Sequence, residues 1–275
     1  MRMLLLLGSM LCACLTHAEQ SLLGFDAESA AIQRQLEQRF DQRLSQADQD
    51  AWLRELSAKP HHVGSEAGQV VAQTISKWLS SWGYDTAIET YQILLPTPKV
   101  RKLVLIEPEK MAAGLSEDTL PEDPSTAIRE DLLAPYNAFS ADGSAEGELV
   151  FINYGRPEDH ELLARYGISL EGKIAIAKYG KSWRGIKPKL AAEKGAVATI
   201  IYSDPADDGY GKGDVYPHGA YKHASAVQRG SVMDMPVYPG DVLTPGQPAI
   251  AGTERLAMED AVTITRIPVL PVSYQ

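Results

Sequence analysis

Lys173–Lys178 (KIAIAK), Lys187–Lys194 (KPKLAAEK) and Val197–Tyr202 (VATIIY) stand one after another, and their order decides the fold. The first and third are short apolar runs rich in Ile, Val and Thr, which suits strands. The middle one is made of Lys, Leu, Ala and Glu and stops at Gly195, as a short helix does. Just upstream, Leu149–Asn153 (LVFIN) repeats the strand pattern and Glu158–Tyr166 (EDHELLARY) the helical one. Strand, helix, strand, helix, strand is a β/α unit, so the expected class is α/β (α+β).

Outward from this unit the pattern changes. Between Ala27 and Leu56, Ile32, Leu36, Phe40 and Leu44 recur at a spacing of four, which predicts one or two amphipathic helices. Val70, Val71, Ile75, Trp78 and Leu79 predict another from about Glu66 to Trp82, with Gly83 behind it. Thr86–Leu95 and Val100–Glu107, separated by Pro96-Thr97-Pro98, read as the two arms of a hairpin. Residues 109–146 carry Pro121, Pro124 and Pro135 without any sustained period, so a long surface connection is expected there. Residues 203–248 are dense in Gly, Pro, Asp and Tyr, and Ile267–Gln275 is an apolar run that stops without a polar tail.

The chain has 275 residues, 44% hydrophobic and 23% charged, which is ordinary globular composition and excludes disordered and collagen-like classes. Twenty-six Lys and Arg stand against 36 Asp and Glu, a net charge of -10, so no basic face for nucleic acid is expected. Arg2 and the apolar stretch Met3–Leu15 are too short to span a bilayer but suit an export signal over residues 1–18. Two outcomes are open: cleavage behind Thr16-His17-Ala18, or lipidation at Cys14 within Leu11-Cys12-Ala13-Cys14. The expected location is periplasmic or secreted, with a lipid anchor at Cys14 in the second outcome, and no transmembrane helix is expected in the mature chain. Cys12 and Cys14 both lie in this segment, which leaves the mature chain without a disulfide or thiolate ligand.

The remaining histidines, His61, His62, His160, His218 and His223, form no His-Glu-x-x-His pattern and no pair with suitably spaced carboxylates. The expected set of catalytic residues and zinc ligands in this chain is therefore none. Adjacent His61 and His62 before Val63-Gly64-Ser65 leave two readings, a metal pair or a structural role. Asp204, Asp207 and Asp208 lack the spacing of a calcium loop and read as a turn with helix-capping carboxylates.

Eight segments occur in order: HHVGSEAG at His61–Gly68, APYNAFSADGSAEGELVFINYGRPED at Ala134–Asp159, GKIAIAKYGKSWRG at Gly172–Gly185, GAVATIIYSDPADD at Gly195–Asp208, YPHG at Tyr216–Gly219, VQRG at Val227–Gly230, GDVLTPGQPA at Gly240–Ala249 and IPVLPVSY at Ile267–Tyr274. On these segments the chain resembles the family of glutamate carboxypeptidase II, the N-acetylated alpha-linked acidic dipeptidase-like peptidases and the transferrin receptors, over its N-terminal half only. The resemblance implies an incomplete zinc-peptidase domain (N-terminal helices and hairpin) with an inserted protease-associated domain. The implied boundaries are 19–108 for the opening of the peptidase domain, 109–134 for the connection, 135–257 for the protease-associated domain, and 258–275 for a truncated return. Two zinc ions serve the complete family member and are not expected on this chain. Relatives form homodimers through a domain not expected here.

The resemblance also assigns residues, and it implies that His61 and His62 lie in the loop between the first two helices, where a His packs structurally rather than as a metal pair. Arg156 would reach a substrate α-carboxylate in the cleft, because a guanidinium forks onto a carboxylate; alternatively it pairs on the surface with Glu158 or Asp159. Ser231 takes the place of an Asn in that cleft, which puts specificity for glutamate in doubt. Thr244 and Gln247 match ligands of a structural calcium, a partial site at best, or form a plain Thr-Pro-Gly turn. The resulting reading is the N-terminal portion of an exported zinc-dependent exopeptidase, inactive alone, which holds peptide substrate only when completed. The alternatives are an exported, non-catalytic protein-binding module and a remnant without retained function.

Overall fold

The computed structural model describes residues 22–275, so the export signal with Cys12 and Cys14 lies outside the described residues. The described residues divide into two units between residues 55 and 56. In the first, α1 spans Ala27–Asp41, and the Asp26 carboxylate caps its N-terminus by accepting from Ser29 N. The next helix, α2, is Gln46–Leu56, with Ser45 Oγ accepting from Asp48 N.

The second unit opens with α3, Glu66–Ser81, capped by the Ser65 hydroxyl on Gly68 N. Two short strands follow, β1 at Val104–Leu105 and β2 at Met111–Ala112, paired antiparallel. This differs from the expected hairpin, because Thr86–Leu95 forms no strand. Its backbone is bound elsewhere: Gln92 N donates to Ala249 O, and Leu94 N to the Asp241 carboxylate at 2.6 Å. Leu94 and Leu95 then pack on the buried cluster of Ala138, Phe139, Met233 and Val242. A polar and apolar seat on the 241–249 segment outcompetes a local ladder.

The long connection is lashed down by charged side chains. Glu117 accepts from Val227 N at 2.8 Å and from Arg229 at 2.7 Å, and Arg229 Nε donates to Leu133 O. Arg101 donates to both Leu115 O and Pro135 O.

The central sheet holds β4 (Leu149–Phe151), β5 (Ile174–Lys178), β6 (Ala198–Tyr202) and β8 (Val269–Val272), all parallel and in that order. Helices α4 (Pro157–Arg165) and α5 (Ile186–Glu193) connect the first three strands. Alternation in β5 turns Ala175 and Ala177 inward at zero exposure, and their small size admits Ala191 of α5 against the sheet. Ile152, Leu170 and Ala196 complete that cluster. On a separate two-stranded ladder, β3 (Asn137–Ala138) pairs parallel with β7 (Gly230–Ser231). Short α6, Pro205–Asp208, is capped by Asp204, which accepts from Ala206 N. Asp207 and Asp208 pair with Lys178 and Lys222, so the Ser-Asp-Pro-Ala-Asp-Asp stretch is a capped turn.

Candidate carboxylate pocket

Past the carboxyl end of β5 the chain loops through Tyr179–Gly185 into α5, and β7 lies opposite. Between them is a cavity of about 330 Å³. Open parallel sheets place ligands at this end of their strands. Tyr179, Trp183, Met233 and Met235 supply its apolar lining, and Arg184, Ser231, Gln228 and Ser182 its polar atoms.

Arg184 is held in position by what is missing from Gly230. That glycine has φ +145°, and a Cβ there would lie 2.4 Å from the guanidinium carbon. The guanidinium therefore rests on bare backbone, a seat that no other residue provides. Its one hydrogen bond is a long one, 3.4 Å from Nη1 to Ser231 O, and Arg184 forms no ion pair among the described residues. Buried Arg184 Nε and Trp183 Nε1 both lack a partner. Each orphaned donor costs about 1–3 kcal/mol, a cost that an anionic acceptor removes.

The wall beneath is rigid. Asn137, almost fully buried, donates to Tyr179 Oη at 3.1 Å and Gly230 O at 3.2 Å, while Tyr179 Oη donates to Gln228 O at 2.7 Å. Burial pushes the Tyr179 phenol up to about 12, so it remains a neutral donor. The loop itself is pinned by Lys187 of α5, fully buried, whose ammonium donates to Tyr154 O at 2.5 Å and Gly180 O at 3.1 Å. Gly185 admits the opposite wall: a Cβ would lie 2.2 Å from Met233 O.

Ser231 lines this cavity, and its hydroxyl accepts from Met233 N at 3.2 Å. Arg156 is not among the cavity-lining residues. It stands at the N-terminus of α4, where its guanidinium pairs with Glu158 at 2.9 Å and faces the Tyr154 ring. Asp159 accepts from the Arg156 backbone N–H at 3.0 Å and closes the helix start. The structure thus brings Ser231 together with Arg184, a residue the sequence analysis did not single out. Its available signal was Trp-Arg-Gly between a strand and a helix.

Thr244 is buried and its hydroxyl bonds to Asp241 at 3.1 Å; Gln247 N donates back to Thr244 O at 3.1 Å. The Asp241 carboxylate also accepts from Leu94 N and Leu243 N and pairs with Arg255. With its acceptors engaged and its charge matched, this cluster is a closed turn, and the residues present do not by themselves fit a calcium ion. His61 and His62 each direct Nδ1 to a backbone carbonyl, Lys59 O and Val63 O. Among the described residues, no three His, Cys, Asp or Glu side chains gather in a way that could hold a metal.

Residues 142–234 match the PA domain family. A protein named "Probable glutamate carboxypeptidase" from Arthroderma benhamiae is 38% identical over 202 residues, covering 71% of this chain and 27% of that protein. Aminopeptidase NAALADL1 of Mus musculus is 32% identical over 232 residues, covering 81% of this chain and 31% of the relative. Among solved structures, BSAP, a zinc aminopeptidase from Bacillus subtilis, aligns with 81% of this chain and 37% of its own at 15% identity and a TM-score of 0.39. The chain therefore spans less than a third of the length of these two curated relatives. Residues 142–234 match the PA domain family, and most of the chain around them is similar to part of proteins named as glutamate carboxypeptidases and NAALADL1.

Proposed function

We propose that this chain is the PA-domain portion of an exported zinc-dependent exopeptidase, and that its cavity holds the terminal carboxylate of a peptide whose neighbouring bond is cleaved. The observation that carries this reading is Arg184: a guanidinium seated on Gly230, without an anionic partner, at the edge of a preformed cavity. Such a group suits a carboxylate through parallel N–H donors. In the family this chain resembles, zinc supplies the activated water. Among the described residues no three His, Cys, Asp or Glu side chains gather to hold a metal, and the role proposed for this chain's own residues is to bind and orient the peptide. Orientation of a reactant is itself a large part of catalysis.

Export rests on Arg2 and the apolar stretch that follows, with Cys14 as the point of lipid attachment if cleavage does not follow Ala18. One preparation tests both parts. Intact mass of the exported protein distinguishes a chain starting at Glu19 from one starting at a diacylglyceryl-modified Cys14. The same protein, incubated with zinc, acetylated dipeptides and amino-acid p-nitroanilides, is expected to bind the carboxylate-ended peptides and turn over none. Turnover would refute the division of labour proposed here, and indifference to the terminal carboxylate would refute the role of Arg184.

A further inference from the structure

Within the cavity, Arg184 is the single charged residue. Its neighbours in sequence add no second cation. Lys181, on the same loop, lies with Nζ 5.9 Å from the centre of the Tyr154 ring and is not part of the lining. Lys189 pairs with Asp234 at 2.6 Å, and Arg229 pairs with Glu117 at 2.7 Å. Apart from the neutral polar groups of Ser182, Gln228 and Ser231, the side chains that line the cavity with Arg184 are sulfur and aromatic: buried Met233, half-exposed Met235, Trp183 and Tyr179. Thioether side chains are polarizable, adjust to varied apolar shapes, and contact aromatic rings favourably.

From this distribution we infer that the cavity selects a peptide terminus with an apolar side chain, methionine-like or aromatic, and disfavours an acidic one. The inference rests on the carboxylate reading above. A peptide ending in glutamate brings two carboxylates to one guanidinium, and the second is left against Met233 and Met235. An ionised group desolvated without a partner is strongly unfavourable. A peptide ending in methionine or phenylalanine brings one carboxylate for Arg184 and an apolar side chain for the Met and Trp surface. Ser231 accepts from Met233 N and keeps one neutral O–H donor, which does not match the charge of a second carboxylate.

The test is a set of binding titrations on the full chain with acetyl-Ala-Met, acetyl-Ala-Phe, acetyl-Ala-Glu and the amide of acetyl-Ala-Met. Met and Phe acids are expected to bind at least about tenfold more tightly than both the Glu acid and the Met amide. Met235→Lys, at a half-exposed position, is expected to raise affinity for the Glu acid and shrink that ratio with the melting temperature unchanged. Arg184→Gln is expected to erase the acid–amide difference. If the Glu acid binds as tightly as the Met acid while the amide stays weak, the apolar preference is wrong and the carboxylate reading stands. An unchanged ratio in Met235→Lys also overturns the apolar assignment. If acid and amide bind alike, or no peptide binds, the carboxylate reading fails and the inference falls with it.

Discussion

Lys187 shows how much a single buried group governs the pocket loop. Its ammonium bridges the carbonyls that follow β4 and β5, Tyr154 O and Gly180 O. Burial pulls its pKa down to about 8, against the attraction of Asp159 and with some repulsion from Arg156. In the unfolded chain a lysine titrates near about 10.4. Between those values the unfolded chain holds a proton the folded chain has released, so stability rises with pH, by at most about 1.4 kcal/mol per pH unit. Above about pH 10 the unfolded phenol ionises while Tyr179, pushed up to about 12, does not, and the trend reverses. Chemical denaturation between pH 8 and 10 should therefore show a rising curve for the natural chain and a flatter one for Lys187→Met. That variant should also lose about 1–3 kcal/mol at pH 9, since both carbonyls lose their donor. A natural curve that falls over this window would contradict the assignment. At this scale the sequence was least legible. Arg184 meets Gly230 and Ser231 only through tertiary packing, and no local period links a strand-to-helix loop to a glycine so much later in the chain.

Elements whose residues repeat at short range were legible almost to their ends. The expected strands and helices from Leu149 to Tyr202 occur as β4, α4, β5, α5 and β6, and the Glu66 helix ends at Ser81 rather than Trp82. Long-range pairings were not. β3 and β7 are two residues each, and β8 lies far along the chain from its neighbour β6, so none has a periodicity to announce it. The expected hairpin failed for the same reason, since Thr86–Leu95 has strand composition but docks on residues about 150 positions later. The long connection was expected on the surface, yet how it is fastened became visible only in three dimensions. Glu117 is that fastening, with Arg129 also donating to its carbonyl at 3.0 Å. Glu117→Ala leaves Arg229 half-buried without its partner and should lower stability by about 1–3 kcal/mol, a few degrees in Tm for a chain this size. Trypsin should then cut at Arg129 faster than in the natural chain. Equal cleavage rates with equal Tm would show that the ion pair does not hold the connection.

At the scale of the larger unit, apolar surface is distributed unevenly. The central strands bury Ala175, Ala177, Ile200 and Ile201, but α3 buries no side chain fully: Val70 is 55% exposed and Ile75 39%. Downstream, Tyr84, Ile88, Tyr91 and Ile93 are exposed as well, whereas Leu94 and Leu95 have found the cluster around Phe139. Single exposed apolar residues are ordinary, but a run along one helix and the segment after it tends to associate. No helix among the described residues is long and apolar enough to cross a membrane, so this surface is not a span. Its removal from water is favourable in proportion to area, and at rising protein concentration a second copy is the most available cover. Sedimentation velocity of the purified chain should therefore show concentration-dependent self-association and bind a hydrophobic dye at the monomer end. Val70→Lys with Ile75→Lys should shift the distribution towards monomer and weaken dye binding. Because neither side chain is buried, the double variant should melt within about a degree of the natural chain, as exposed substitutions usually do. A natural chain that stays monomeric at high micromolar concentration would rule this out. A variant that melts much earlier would show instead that α3 packs more tightly in solution than its exposed face implies.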